Sequence, residues 1–444
     1  MTRSDPTQCS FVDAFRHSAP YIHQHRGRDM VIAIAGEAVE DKQFPTLIRD
    51  IALLNTLGIR VVLVHGARPQ IEQRLKAGKA AIRYAHGLRI TDDAALLGVK
   101  EAVGRVRLEV EAQLSMNLST TAAGRDRLRV ATGNFVTARP LGVRDGVDYQ
   151  HTGEVRRIDG PALQQALDAR RLVLLSPLGY SPTGEVFNLH AEEVALAAAR
   201  ELRADKLILL VEGKGLRDGN RQVIHELSPT DAQALLNGRR KLDEDMRRHI
   251  ETAACAAREG VQRVHLIGRA SDGALLQELF TRDGVGTLVT TGGYEGLRQA
   301  TIDDVGGILD LIRPLEENGI LVKRSRERLE MEIDRFLLVE RDGLIIACAA
   351  LYPDGKAPVA ELAGLAVHPD YRNEGRGDRL LKRIEQLARQ RGIKRLFVLT
   401  TRTAHWFQER GFKRVDVASL PGRRRDLYNY QRNSQVYSKI LAGT

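Results

Sequence analysis

From position 30 to position 267 the chain repeats one pattern, a short run of mostly apolar residues followed by a longer segment whose apolar positions return every three or four residues. The runs at 30–35, 60–65, 173–178, 206–212 and 263–267 predict strands. The segments at 44–56, from 69 onward, at 192–202 and at 244–259 predict helices. Apolar strands alternating with helices require a largely parallel sheet covered on both faces, so the fold class is α/β. Ahead of the first strand, residues 11–25 set Phe11, Phe15, Ala19 and Ile22 at helical spacing. Such a terminal helix either caps its own domain or packs on a neighbouring subunit.

The rhythm changes at 284–296, a small, Gly- and Thr-rich stretch where few side chains can pack. Helices at 302–315 and 325–333 then precede strands at 336–341, 344–352 and 359–367, with Arg341-Asp342-Gly343 as a hairpin turn. A helix over 378–390 and a strand over 396–401 follow. The expected organisation is an N-terminal helix over 1–26, an α/β domain over 27–288, a linker over 289–295 and a second domain over 296–444. A chain of 444 residues is too long for one ordinary core, which agrees.

Composition narrows the class. A hydrophobic content of 43% with 28% charged residues fits soluble globular protein. Cys9, Cys255 and Cys348 lack metal or disulfide spacing, no run approaches a membrane span, and the N-terminus has no apolar leader core. A cytoplasmic protein with no metal is expected. Most of the net charge of +10 lies in the second domain, where Arg423-Arg424-Arg425 reads as a solvated loop. With 5% aromatic residues and no nucleic-acid motif, neither nucleic acid nor a membrane is an expected partner.

Candidate chemistry concentrates at 361–377. An apolar strand carrying one acidic residue, Glu361, runs to His368-Pro369. Arg372, Asn373, Glu374, Gly375, Arg376 and Gly377 then lead into a helix. Glycines at a helix start let backbone N–H groups face an anion, and the helix adds roughly half a positive charge. The pattern resembles the acyl-CoA motif of GNAT-type N-acetyltransferases, and the order of helices, meander, Gly-loop helix and strand is that fold's order. By strand alternation Glu361 shares a face with Ala363, Leu365 and Val367, apolar surroundings suited to a general base. An oxyanion would sit against a backbone N–H near Leu365, and Leu365 and Val367 would line the cofactor. By the same resemblance Thr400 stands where relatives carry a hydroxyl acid, with Tyr428 and Tyr430 as rivals. Trp406-Phe407 ahead of Gly411-Phe412 packs the core.

The first domain resembles the amino-acid kinase family, most closely N-acetylglutamate kinases, over 31–36, 61–71, 85–92 and 187–195. The family's Lys-x-Gly-Gly reads Ala33-Ile34-Ala35-Gly36 here, its His-Gly-Gly-Gly turn reads His65-Gly66-Ala67-Arg68, and its Asn-x-Asn-Ala-Asp run reads Asn188-Leu189-His190-Ala191-Glu192. Two phosphate-contacting glycines and the charge-neutralising lysine are gone, which implies a kinase fold without phosphoryl transfer. An inactive kinase-like domain ahead of a GNAT domain is similar to the bacterial N-acetylglutamate synthase family. That resemblance implies acetyl-CoA and L-glutamate as substrates, Arg324 and Arg432 on the substrate carboxylates with Lys323 adjacent, and L-arginine as feedback inhibitor. It also implies an arginine site drawn from His17, Tyr21, His265, Glu278 and Gly284, and a homo-oligomer, a hexamer, built through the N-terminal helix.

Overall fold

The computed structural model describes residues 6–116, 128–219, 221–238, 242–292, 295–341, 344–355, 357–372, 375–426, 428 and 434–441. Two compact units, Met1–Gly292 and Gly293–Thr444, divide the chain.

Unit 1 opens with α1 (Pro6–His25), β1 (Asp29–Ile34), α2 (Phe44–Thr56), β2 (Arg60–His65), α3 (Arg68–Ala77) and α4 (Asp93–Leu114). Then come β3 (Val130–Ala131), β4 (Leu172–Leu175), α5 (Ala191–Glu201), β5 (Lys206–Val211), β6 (Glu226–Leu227), α6 (Glu244–Arg258), β7 (Arg263–Gly268), α7 (Ala274–Phe280) and β8 (Thr287–Val289). The eight strands form one sheet in the order β6-β8-β7-β5-β1-β2-β4-β3, parallel except between β7 and β8. Alternate residues of β1 enter opposite cores. Val31 and Ala33 pack with α5 and α6, while Met30, Ile32 and Ile34 pack with α2 and α4. A four-stranded sheet (Val136–Pro140, Gly153–Ile158, Leu178–Tyr180, Val186–Asn188) flanks it.

Two expectations change here. The strand expected through 178 stops at Leu175, and Leu178–Tyr180 joins the second sheet, since Pro177 between them cannot donate to a ladder. The Gly/Thr-rich stretch taken as unpacked contains β8, whose residues are buried. On α1, Tyr21 and Ile22 pack against the core that includes Leu279 and Phe280, but Phe11 and Phe15 remain 71% and 59% exposed.

Unit 2 comprises β9 (Glu295–Gln299), α8 (Val305–Glu317), α9 (Arg326–Met331), β10 (Phe336–Arg341), β11 (Leu344–Pro353) and β12 (Val359–Val367). After them come α10 (Arg376–Gln390), β13 (Arg395–Thr400), α11 (Ala404–Glu409), β14 (Lys413–Val415), α12 (Gly422–Asp426) and β15 (Gln435–Ile440). The sheet order is β9-β10-β11-β12-β13-β15-β14, antiparallel except for β12 with β13. Of the expected hairpin turn, Asp342 and Gly343 lie outside the described residues.

Two features of β12 shape this unit. Cys348 pairs with Ala366 and Ala350 with Ala363, so Gly364 and Leu365 together oppose Ala349, a bulge in which Gly364 takes a φ of +62°. Ala360 and Leu362 enter the core under α10 before the bulge; Leu365 and Val367 do so after it, and Ala366 faces the opposite core. Glu361 therefore does not share a face with Leu365 and Val367, because one added residue inverts the alternation. Secondly, β12 pairs with β13 only over Val359–Glu361, against Arg395–Phe397. Beyond Glu361 the two strands part, while β13 stays paired to β15 through Thr400.

Candidate active site

Glu361 stands where β12 and β13 separate, on the face of its cross-strand partner Tyr352. Its carboxylate accepts two hydrogen bonds from Arg424, 2.6 Å from Nε to Oε2 and 3.0 Å from Nη2 to Oε1. This fork on a carboxylate only 13% exposed corrects two expectations. The surroundings of Glu361 are not purely apolar, and the Arg423-Arg424-Arg425 run is not a solvated loop but part of α12, with Arg424 turned to Glu361. The run hid this role, since adjacent arginines look alike in sequence and the pair is 63 positions apart.

Arg324 reaches the bulge from the segment before α9. A Cβ on Gly364 would lie 3.6 Å from both of its terminal nitrogens, and its guanidinium sits 5.9 Å from the centre of the Phe336 ring. Its Nη1 is buried and has no hydrogen-bond partner among the described residues. A sequestered donor of this kind is stabilised by any further acceptor that reaches it. Lys323, next to it, is exposed. Arg432, Tyr430, Asn373 and Glu374 lie outside the described residues.

The hydroxyl candidates are held in structural bonds. Thr400 Oγ1 accepts from the Thr403 N–H at 3.0 Å and meets the Thr403 hydroxyl at 2.8 Å, closing the turn into α11. Tyr428 is buried and donates to the Ser434 carbonyl at 2.6 Å. Cys348 contacts the bulge, its Sγ 3.5 Å from the Gly364 carbonyl, and burial pushes its thiol up to about 12. A buried thiol so protonated is a poor nucleophile at neutral pH.

At the glycine-rich loop, Gly375 adopts φ +77° as the N-cap of α10, whose first turn leaves backbone N–H groups without intrahelical partners. Arg372 is exposed. Arg376 turns inward, 7% exposed, bonding Glu295 through Nε (2.8 Å) and Nη2 (2.5 Å) and the Tyr371 carbonyl through Nη1 (2.8 Å). Its side chain is thus a strut, and only its backbone remains for an anion. A Cβ on Gly377 would come 3.0 Å from Trp406 Cζ2, so this glycine makes room for the indole. Arg410 covers that indole at 4.0 Å and neutralises Asp378, 2.9 Å away, in the first turn of α10.

In unit 1, Ala33 lines a cavity of about 250 Å³ with Gly36, Gly66 and Asn188. Gly66 is required there by close backbone packing, since its Cβ would lie 2.8 Å from the Gly36 nitrogen. Elsewhere, His265 and Glu278 form a buried pair at 2.6 Å, and Glu278 also accepts from the N–H groups of Val285 (2.6 Å) and Gly286 (2.7 Å). Burial opposes ionisation of Glu278, but these bonds outweigh it and hold the carboxyl below its ordinary range. A Cβ on Gly284 would lie 2.4 Å from Glu278 Oε2, so only glycine fits. The carboxylate of Glu278, a candidate for the arginine site, is thus already bonded within unit 1. His265, Glu278 and Gly284 come together; Tyr21 packs on the neighbouring core, and His17 is exposed on α1.

Comparison with known proteins follows the same division. Residues 30–268 match the amino acid kinase family, and residues 307–412 match the acetyltransferase (GNAT) family. The amino-acid acetyltransferase of Azotobacter vinelandii is 56% identical over 432 residues, 97% of this chain and 99% of that protein. The Pseudomonas aeruginosa protein of the same name is 55% identical over 431 residues, again 97% and 99%. Among solved structures, N-acetylglutamate synthase from Neisseria gonorrhoeae complexed with coenzyme A and L-arginine is similar over 97% of this chain and 99% of its own, with a TM-score of 0.89 and 40% identity. The same enzyme complexed with coenzyme A and N-acetyl-glutamate covers as much, with a TM-score of 0.62 and 41% identity.

Proposed function

Since the chain belongs to the amino-acid acetyltransferases, in which a kinase-like domain precedes a GNAT domain, we propose that it transfers the acetyl group of acetyl-CoA to the α-amine of L-glutamate. The products are N-acetyl-L-glutamate and CoA, and the reaction is the first step of arginine biosynthesis, restrained by L-arginine at unit 1. The observation that carries this reading is the parting of β12 and β13 at Glu361, with the unpartnered Nη1 of Arg324 at the adjacent bulge. The Neisseria gonorrhoeae complexes with coenzyme A, L-arginine and N-acetyl-glutamate support it.

In this reading the pantetheine arm enters the wedge and bonds the backbone edge that β12 exposes beyond Glu361. The pyrophosphate rests on the first turn of α10, between Gly375 and Gly377, with Arg372 at its rim. Arg324, joined by Arg432, receives the carboxylates of glutamate. Glu361 takes a proton from the ammonium, directly or through a water, and the freed amine attacks the thioester carbonyl. The oxyanion forms against the Leu365 N–H at the bulge and collapses as the C–S bond breaks. The departing thiolate is a modest base and needs little help, from Thr400 or from a tyrosine such as Tyr428 or Tyr430. Assembly into an oligomer, a hexamer, through the exposed aromatic face of α1 completes the proposal.

The test is thiol release from acetyl-CoA across a panel of amino acids, with and without L-arginine. Release specific to L-glutamate and depressed by arginine is expected. Equal turnover of neutral amino acids would remove glutamate as the substrate.

A further inference from the structure

We propose that Arg410 is a positioning residue for the cofactor: it takes up the Asp378 carboxylate at the first turn of α10, and so keeps the free N–H groups of that turn open to the pyrophosphate of acetyl-CoA. This role rests on the transfer reading, which seats the pyrophosphate on α10. Gly375 caps α10 and Arg376 begins it, so Asp378 is the third residue of the helix. An acid at that position commonly reaches back to the unpaired N–H groups and is favoured there by the helix dipole. It then serves as the helix's own anion. Here the carboxylate is committed elsewhere. Arg410 donates from Nε to Oδ1 at 2.5 Å and from Nη2 to Oδ2 at 2.9 Å, and among the described residues the Asp378 side chain makes no other hydrogen bond.

Arg410 acts through Asp378 and not on the ligand, because each of its three nitrogens is engaged within the fold. Besides the two bonds to Asp378, its Nη1 donates to the Trp406 carbonyl at 2.9 Å and to Glu409 at 3.0 Å, and its guanidinium lies 4.0 Å from the centre of the Trp406 ring. The same indole lies against Gly377, whose added Cβ would come 3.0 Å from Cζ2. Trp406 in α11 and Arg410 just past its end thus meet two consecutive residues of the α10 turn. The bonds from Arg410 hold the Asp378 carboxyl below its ordinary range, so it is charged at neutral pH. Released from Arg410, that charge would stand in the same turn as the pyrophosphate, where it would compete for the N–H groups and repel the ligand.

Calorimetric titration of the full chain with acetyl-CoA tests the role. Arg410→Met should weaken binding about tenfold, the scale of a charge at a helix N-terminus. Asp378→Ala, which leaves Arg410 in place, should bind no more weakly than the unaltered chain, and Arg410→Met combined with Asp378→Ala should regain most of the loss. A mere strut between α10 and α11 gives a different pattern, since either single change breaks it and the second repairs nothing. Added salt should narrow the gap in affinity between Arg410→Met and the unaltered chain, because repulsion is screened and lost packing is not. A loss on Asp378→Ala equal to that on Arg410→Met, absence of rescue in the double variant, or a gap indifferent to salt would each overturn the role while leaving acetyl transfer standing. No binding of acetyl-CoA by the unaltered chain would overturn the transfer reading, and the role with it.

Discussion

Glu361 and Arg424 show how much of this site depends on single side chains. Glu361→Gln keeps the shape and the hydrogen-bonding capacity but removes the proposed base. Turnover should fall by about 10²–10⁴, the usual worth of general base catalysis, while acetyl-CoA affinity measured by calorimetry stays the same. Wild-type turnover in that variant would remove Glu361 from the chemistry. Arg424 acts through Glu361, so Arg424→Ala should lower kcat by about tenfold, the value of one charge-assisted bond, with the acetyl-CoA KM unchanged. Arg424→Lys should recover part of the loss, because it supplies charge without the two-point fork. The place of Glu361, one acid in an apolar strand before a glycine-rich loop, was legible in the sequence. Arg424 was not, because nothing local in a run of three arginines says which one faces inward.

At the scale of elements, the proposed role of β12 depends on its irregularity. Gly364 has room for a methyl group, whose nearest neighbours would be Phe336 at 3.5 Å and Arg324 at 3.6 Å, but its φ of +62° penalises any Cβ. Gly364→Ala should cost about 1–2 kcal/mol of stability by denaturant unfolding. Catalysis should suffer more, because relaxing the backbone displaces the Leu365 N–H. An activity loss no greater than that of an equally destabilised surface variant would separate the bulge from the oxyanion. Strands and helices themselves were legible from periodicity, and 44–56, 60–65, 336–341 and 359–367 recur as observed elements with the same bounds. What periodicity could not reveal was the bulge, since Gly364-Leu365 fits an alternating pattern until its partner strand is known. The inward turn of Arg376 was equally hidden, because its partner Glu295 belongs to another strand.

Across the whole molecule, charge and assembly make the testable differences. Burial holds His25, His65 and His190 of unit 1 down at about 4 each, against an ordinary 6.5. The unfolded chain takes up these protons below pH 6.5 and the folded unit does not, so stability is complete above 6.5 and is lost as pH falls toward 4. The loss is about 1.4 kcal/mol per pH unit for each histidine at most. Asp50, pushed up to about 6 by burial and by Asp272, works in the opposite direction and offsets part of it. Calorimetric scans should show the unit 1 transition dropping over this window more than that of unit 2. The proposed assembly is tested at α1: if it holds, replacing Phe11 and Phe15 with serine should lower the mass seen by light scattering with no change in the unfolding of unit 1. Glu295, in the first strand after the division between the units, grips Arg376 at the head of α10. That ion pair ties the first turn of α10 to β9, so the set of the glycine-rich loop rests on a carboxylate 81 positions earlier in the chain. Glu295→Gln should therefore loosen acetyl-CoA binding measured by calorimetry, while the glutamate KM stays fixed.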